Sequence, residues 1–200
     1  MPLILNCEQK SPEWFAACAG NPGASSIDKI ITTKGEPSKQ REEYMLTLAV
    51  ERITGRAENG FVTTAMQTGI EREAEARTLF EMAHDVEIQQ VGLIYKDERK
   101  ECHCSPDGLI GDSEGIEIKC PLGKTHAKYL LGGKLPTEYF CQVQFSLYVS
   151  EREYWHFLSY YPGLKPLMLK VGRDDKWIEK CEKELESFNQ ELAELVEKLQ

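Results

Sequence analysis

Two acids and a lysine follow one another at close spacing near the middle of the 200-residue chain: Asp107, Glu117 and Lys119. Segments 107–110 and 115–120 predict two short strands, and the polar turn between them predicts an antiparallel hairpin. Because successive side chains of a strand alternate between its faces, Glu117 and Lys119 point the same way. Antiparallel pairing then sets Asp107 beside Glu117, with Cβ atoms roughly 5 Å apart.

This cluster has two interpretations. Two neighbouring carboxylates repel each other unless a hard cation such as Mg²⁺ bridges them, and a lysine one pleat away can act on an attacking water or stabilise charge on a phosphate. A surface hairpin with an ordinary Glu–Lys ion pair explains the same residues. Taken alone, the three residues leave both interpretations open.

A longer motif surrounds the cluster. Pro106 and Asp107, followed after a short gap by Glu117-Ile118-Lys119, match the PD-(D/E)XK nuclease signature. The wider strings 104–108 and 117–121 resemble the phage lambda exonuclease and YqaJ-type viral recombinase family, and they are more specific than the bare signature. The resemblance extends from about Trp14 to about Trp177.

The resemblance implies an α/β fold with a restriction-endonuclease-like core, in which helices flank a central mixed sheet and a long C-terminal helix follows. It implies one nuclease domain over residues 1–200. The implied activity is a Mg²⁺-dependent 5′-to-3′ exonuclease on double-stranded DNA, which releases 5′-mononucleotides and leaves a 3′ single-stranded overhang. A PD-(D/E)XK endonuclease and a non-catalytic DNA-binding subunit are the alternatives.

The resemblance also implies a metal site with two Mg²⁺ ions, for which Mn²⁺ can substitute. Its implied ligands are the side chains of Glu73, Asp107 and Glu117 and the main-chain carbonyl of Ile118, and Lys119 acts on the attacking water. All but Ile118 are implied catalytic residues.

Glu73 lies on a predicted helix that opens with a capping box at 68–71 and runs to about His84. The run from Gly69 to Arg77 resembles the stretch that carries a metal-site glutamate in the family. Arg77, four residues after Glu73, offers an ordinary helical ion pair as the alternative role.

A glycine- and serine-rich loop at 20–26 is typical of either a helix cap or an anion-binding turn. By resemblance it contributes to a pocket for the DNA 5′-phosphate. Cys18 falls where lambda exonuclease has a pocket arginine. Without the resemblance to the family, Gln142 and Gln144 would be interpreted as solvent-facing side chains. The predicted phosphate-binding residues are Ser26, its near-equivalent Ser25, Ser105, Gln142 and Gln144.

Hydrophobic periodicity and capping residues in the rest of the chain predict the helices and strands that position these residues. Ser11 and Pro12 predict a short helix start. Segment 38–54 predicts a helix with a core face, and 91–95 predicts a strand. A helix at 137–149, strands at 154–161 and 167–171 and a last amphipathic helix complete the fold. The core face of the 38–54 helix comprises Tyr44, Met45, Leu48, Ala49 and Ile53.

The composition of the chain limits its cellular location and the partners that it can bind. The formal charge is −9, but nine acids and four lysines lie in 174–198, whereas 118–137 holds four lysines and no acid. No apolar run is long enough to span a bilayer, and the seven cysteines suggest no disulfide framework. We therefore expect a cytoplasmic protein without a membrane partner. The resemblance implies a phage or prophage origin, binding to duplex DNA ends, a homotrimeric ring and a single-strand annealing partner.

Overall fold

The computed structural model describes residues 1–57 and 64–200, except for the side chains of 64–71. These ranges contain seven strands, six α-helices and one 3₁₀ helix. In chain order they are β1 (Leu3–Leu5), α1 (Pro12–Cys18), the 3₁₀ helix (Ala24–Lys29), α2 (Arg41–Thr54), α3 (Thr64–His84), β2 (Leu93–Tyr95), β3 (His103–Cys104), β4 (Gly108–Ile110), β5 (Glu114–Lys119), α4 (Gly123–Gly132), α5 (Thr137–Ser150), β6 (Tyr154–Ser159), β7 (Leu167–Gly172) and α6 (Asp175–Leu199).

The central sheet is mixed, with the strand order β4-β5-β6-β7. The hairpin pairs β4 with β5 antiparallel, and Gly108 lies opposite Ile116. Strand β6 runs parallel to β5, and β7 returns antiparallel. Because parallel neighbours need a crossover, α4 and α5 occupy the connection from β5 to β6. This architecture confirms the predicted fold class.

A second, three-stranded antiparallel sheet has the order β1-β2-β3. It brings the start of the chain beside the hairpin. The Gln9 amide donates hydrogen bonds to the carbonyls of Val91 and Pro106, at 3.0 and 2.8 Å. Gln9 thus ties the residue just before Asp107 to the segment that precedes β2.

Helix α5 lies in the interior and is buried on opposite faces. Cys141, Phe145 and Val149 belong to the core cluster that includes the 3₁₀ helix, α2 and α6. Val143 and Leu147 pack on Trp155 and Phe157 of β6. A helix that is apolar all round is expected in a protein core.

The C-terminal helix α6 packs on the protein's own core. Its buried residues include Trp177, Leu185 and Phe188, and Trp177 Nε1 donates to the Thr32 carbonyl at 3.0 Å. At its solvent edge, Arg41 of α2 pairs with Glu184 and Glu191. None of the helices in the described ranges combines the length and apolar character needed to cross a bilayer.

Several predicted boundaries require correction. Helix α2 begins at Arg41 rather than Ser38, and Ile53 is exposed instead of buried, because it lies on the outer edge of the helix. Helix α3 begins at Thr64, one turn before the predicted capping box. The side chains of that box lie outside the described residues. Strand β2 is shorter than predicted and begins at Leu93.

Candidate active site

The hairpin brings the predicted acidic cluster together. The Asp107 N–H donates to the Ile116 carbonyl, which continues the β4–β5 register and places Asp107 beside Glu117. Asp107 Oδ2 accepts the Ile118 N–H at 2.5 Å. Lys119 Nζ lies 2.6 Å from Glu117 Oε1, as strand alternation predicted. The three side chains therefore occupy one face of the sheet.

Glu117 is the most enclosed member of the cluster, at 3% exposed. Its Oε1 also accepts a hydrogen bond from Gln142 Nε2 of α5, at 2.7 Å. The Lys119 ammonium also lies over the Tyr139 ring of α5, 5.2 Å from its centroid. A strand and the central helix thus fix the carboxylate and the lysine from opposite sides.

Burial and like charge set the electrostatics of the cluster. Desolvation raises the pKa of Asp107 well above its usual value, and the charges of Glu117 and Glu73 raise it further. Desolvation alone would lower the pKa of Lys119, but the Glu117 and Asp107 carboxylates outweigh it and raise that pKa. The lysine is therefore held as a cation beside carboxylates that repel one another.

Glu73 lies on α3, close enough to contribute to the Asp107 pKa. Its Oε1 accepts a hydrogen bond from Arg77 Nη2 at 2.7 Å, so the helical ion pair is present. Arg77 Nε is buried without a hydrogen-bond partner among the described residues. The charge of Glu73 thus acts on Asp107, while its carboxylate forms an ion pair with Arg77.

The donor chemistry of the cluster suits a hard divalent cation. Desolvation raises the pKa of Asp107, the charges of Glu117 and Glu73 raise it further, and a bound cation relieves such repulsion. In the described part of the chain, no three acidic, histidine or cysteine side chains already form a closed ligand set. Arg77 contacts only Oε1 of Glu73, and Oε2 of the same carboxylate is not part of that ion pair.

A cleft of about 720 Å³ opens beside the cluster. Four predicted phosphate-binding residues line it: Ser25, Ser26, Ser105 and Gln142. Lys119 lines the same cleft, so the lysine of the cluster and these polar groups share one space. The Ser105 hydroxyl accepts a hydrogen bond from Trp14 Nε1 at 2.9 Å, which fixes its position on the wall.

Gln144 lies elsewhere, and its predicted role in phosphate binding is wrong. Its side chain is 2% exposed. Its amide donates to the Gly172 carbonyl at 2.9 Å, and its Oε1 accepts from the Asp174 N–H at 2.7 Å. On a helix, residues two apart face different directions, so Gln144 joins α5 to the start of α6 while Gln142 reaches the cleft.

The cleft also contains residues that the sequence analysis did not assign to the site: Lys10, Lys29, Tyr44 and His103. They come from separate elements, and the motif says nothing of them. The only available signal was the three-residue step from Ser26 to Lys29, which places both side chains on one face of a 3₁₀ helix.

Solved structures of exonucleases share this fold. The alkaline exonuclease from Laribacter hongkongensis is 34% identical, with a TM-score of 0.85, and the match covers 94% of this chain and 96% of that one. That exonuclease has also been solved with dAMP. A phage-related exonuclease from Haemophilus somnus 129PT matches with a TM-score of 0.68 over 90% of this chain and 96% of that one, but at 14% identity it supports the fold alone. Fold and site define a nuclease with a restriction-endonuclease-like core.

Residues 13–153 match the YqaJ-like viral recombinase domain. The chain belongs to this family. The ExoD protein of Escherichia coli K12 is 34% identical over 74 residues, which are 36% of this chain and 80% of that protein. Protein R354 of Acanthamoeba polyphaga mimivirus is 26% identical over 191 residues, which are 87% of this chain but 31% of that protein.

Proposed function

We propose that this nuclease is a Mg²⁺-dependent exonuclease that degrades the 5′-ended strand of duplex DNA. It releases 5′-mononucleotides and leaves a 3′ overhang for single-strand-annealing recombination. One observation carries the proposal: the Asp107, Glu117 and Lys119 cluster lies beside a cleft whose wall holds Ser26 and Ser105. The dAMP complex of the Laribacter exonuclease supports the mononucleotide product.

The cluster residues have distinct roles in this proposal. Glu73, Asp107, Glu117 and the Ile118 carbonyl would hold Mg²⁺, which supplies Lewis-acid stabilisation of phosphate charge and a more acidic water. Lys119 Nζ orients the attacking water and balances charge on the phosphate. Gln142 Nε2 donates a hydrogen bond of 2.7 Å to Glu117 Oε1 and so fixes the orientation of this carboxylate.

The polar wall of the cleft accounts for end recognition. Hydroxyls of Ser25, Ser26 and Ser105 and the amide of Gln142 are donors suited to a terminal phosphate. A phosphate seated there presents a nearby phosphodiester to the cluster. The phosphodiester nearest the 5′ end is then the one cleaved, which sets the 5′-to-3′ polarity and releases mononucleotides.

The assembly is the second part of the proposal. By family resemblance, residues 1–200 form one nuclease domain that closes into a homotrimeric ring around DNA and acts with a single-strand annealing protein. The mimivirus relative supports a viral lineage, and we place the protein in the cytoplasm of a bacterial host as a phage or prophage product. Sedimentation equilibrium tests the ring, for which we expect three times the 22.8 kDa chain mass.

The decisive experiment digests a linear duplex labelled at either end, with and without a 5′-phosphate. Each substrate is incubated with Mg²⁺, with Mn²⁺ and with chelator, and a closed circular duplex is the control. We expect metal-dependent release of mononucleotides from phosphorylated 5′ ends and no cutting of the circle. Internal cuts that ignore the ends would establish the endonuclease alternative. Duplex binding without hydrolysis under every condition would establish the non-catalytic one.

A further inference from the structure

The resemblance to the family leads us to expect an arginine in the part of the cleft that contains Ser25 and Ser26. This chain has Cys18 at the corresponding position. Cys18 lines the cleft, but burial raises the pKa of its thiol to about 12, so it carries no charge at neutral pH. The acids Glu43 and Glu51 line the same cleft and repel a phosphate. Binding a phosphate dianion therefore requires a cation from another element.

Three lysines line the cleft among the residues described: Lys10, Lys29 and Lys119. Lys119 is held by Glu117 at 2.6 Å and belongs to the reactive cluster. Lys10 is exposed on the loop before α1. Lys29 is half-buried and makes no ion pair with a carboxylate in the described part of the chain. Its charge is therefore available to a ligand.

The 3₁₀ helix places Lys29 on the same face as a predicted phosphate-binding residue. Side chains three apart share a face of a 3₁₀ helix, so Lys29 and Ser26 are on the same face. The Lys29 ammonium lies over the Tyr44 ring of α2, 5.1 Å from its centroid. A flexible lysine is thereby confined to the cleft wall beside the Ser26 hydroxyl.

The surroundings of this pair are built for a polar ligand. Burial raises the pKa of Tyr44 to about 12, and the adjacent Gly23 N–H and Ser26 hydroxyl reduce that rise, so the phenol stays neutral beside Ser26. His103 lines the same cleft and is 8% exposed. Its Nδ1 has no hydrogen-bond partner within the described residues. A buried polar atom left open in this way is completed by a ligand or water.

We infer that Lys29, held on Tyr44 and paired with Ser26, is the cation that recognises the 5′-phosphate of the DNA end. The inference rests on the proposed function and adds its specificity-determining residue. A lysine ammonium is a point charge without the two-pronged geometry of arginine. Recognition here therefore depends on charge, and an arginine at position 29 can replace the lysine.

The test compares phosphorylated and 5′-hydroxyl duplex ends for wild type and Lys29→Gln. The readouts are kcat and KM in Mg²⁺ and duplex binding in chelator. Loss of one charge-assisted contact predicts that the preference for phosphate falls by about tenfold or more, mainly through KM. Activity on the 5′-hydroxyl end should fall less than activity on the phosphorylated end, and the melting temperature shows whether the variant is folded. Lys29→Arg should retain the preference.

Two further variants localise the effect. Lys10→Gln removes a charge from the same cleft but away from Ser26, so the preference should persist. Cys18→Arg in the Lys29→Gln background returns a cation to the wall and should restore the preference. An unchanged preference in Lys29→Gln, or an equal loss in Lys10→Gln, would overturn the inference alone. A wild-type enzyme indifferent to the 5′-phosphate would overturn the proposed end recognition as well.

Discussion

At the scale of single residues, the site concentrates like charges where water is scarce. The pKa of Asp107 is raised by desolvation and by two neighbouring acids, while the Lys119 cation offsets part of that repulsion. Such an arrangement costs stability in the free protein and favours cation binding. Single substitutions in the cluster should therefore separate catalysis, metal binding and folding.

Lys119→Ala tests the role of the lysine in chemistry. Because Lys119 Nζ is positioned by Glu117 next to the cleft, its loss should reduce cleavage by about 10²–10⁴-fold. Duplex binding should remain close to wild type. Lys183→Ala, which removes an exposed charge on α6, is the matched control. Single-turnover cleavage and a binding titration give the answer, and wild-type cleavage by Lys119→Ala would contradict the assigned role.

Glu73→Gln and Arg77→Gln remove opposite partners of the same ion pair. If Glu73 is a ligand, Glu73→Gln should weaken Mg²⁺ or Mn²⁺ binding about tenfold, since a charged oxygen donor is lost. Arg77→Gln frees the carboxylate and should leave metal affinity equal or higher. Calorimetric titration with each metal measures both. Equal losses of thermal stability with unchanged metal affinity would restrict Glu73 to its ion pair.

His103 should make stability depend on pH. Burial lowers its pKa from 6.5 to about 4, so the folded protein keeps the imidazole neutral. The unfolded chain binds the proton first as pH falls, and the fold therefore loses stability from pH 6.5 down to about 4, by about 2–3 kcal/mol. Urea unfolding across this range should show a flatter pH dependence for His103→Gln. The exposed His84→Gln serves as control and should retain the wild-type slope.

At the scale of elements, the hairpin and β6 carry the geometry of the site. Gly115 of β5 lies against the Trp155 ring, where an added Cβ would approach Cζ3 to 2.4 Å. Trp155 is fully buried in the cluster beneath α5. The position of Glu117, two residues further along β5, thus depends on this close packing.

Gly115→Ala should destabilise the protein by about 1–3 kcal/mol, because Trp155 or the strand must shift. It should also reduce cleavage by displacing the cluster. Gly132→Ala is the matched control: nothing lies within 4 Å of its Cβ position, and it ends α4. That variant should gain up to about 1 kcal/mol, as alanine favours a helix over glycine. Chemical denaturation of both variants measures the contrast.

At the scale of the whole molecule, α6 closes the core that supports the cleft. Phe188 is fully buried and stacks against Tyr44, which in turn carries Lys29. The same core cluster includes the 3₁₀ helix and α5. The C-terminal helix is thus coupled through packing to both walls of the cleft.

Phe188→Ala should lower the free energy of unfolding by about 3–5 kcal/mol, because it leaves a cavity at this junction.

Because we propose that residues 1–200 form one domain, the variant should still unfold in a single transition. The unfolding curves from tryptophan fluorescence and from circular dichroism should coincide. Leu199→Ala, at an exposed position near the end of the same helix, should change stability little. Two separate transitions would contradict the single-domain proposal.

The sequence by itself determined the cluster of two carboxylates and a lysine in the candidate active site. Asp107, Glu117 and Lys119 lie within one hairpin, so strand alternation and pairing register suffice to bring them together. The mixed sheet and the long last helix also followed from pattern and resemblance. Such local rules involve neighbours in the chain, and periodicity reports them directly.

Only the tertiary structure decided which distant residues share the cleft. Gln142 and Gln144 are two apart on α5, yet one meets Glu117 and the other bonds Gly172, a difference set by how the helix packs between two clusters. Lys29 lies over Tyr44 because residues of α2 and of the 3₁₀ helix belong to the same core cluster. These contacts depend on the packing of elements far apart in sequence, which no local pattern encodes.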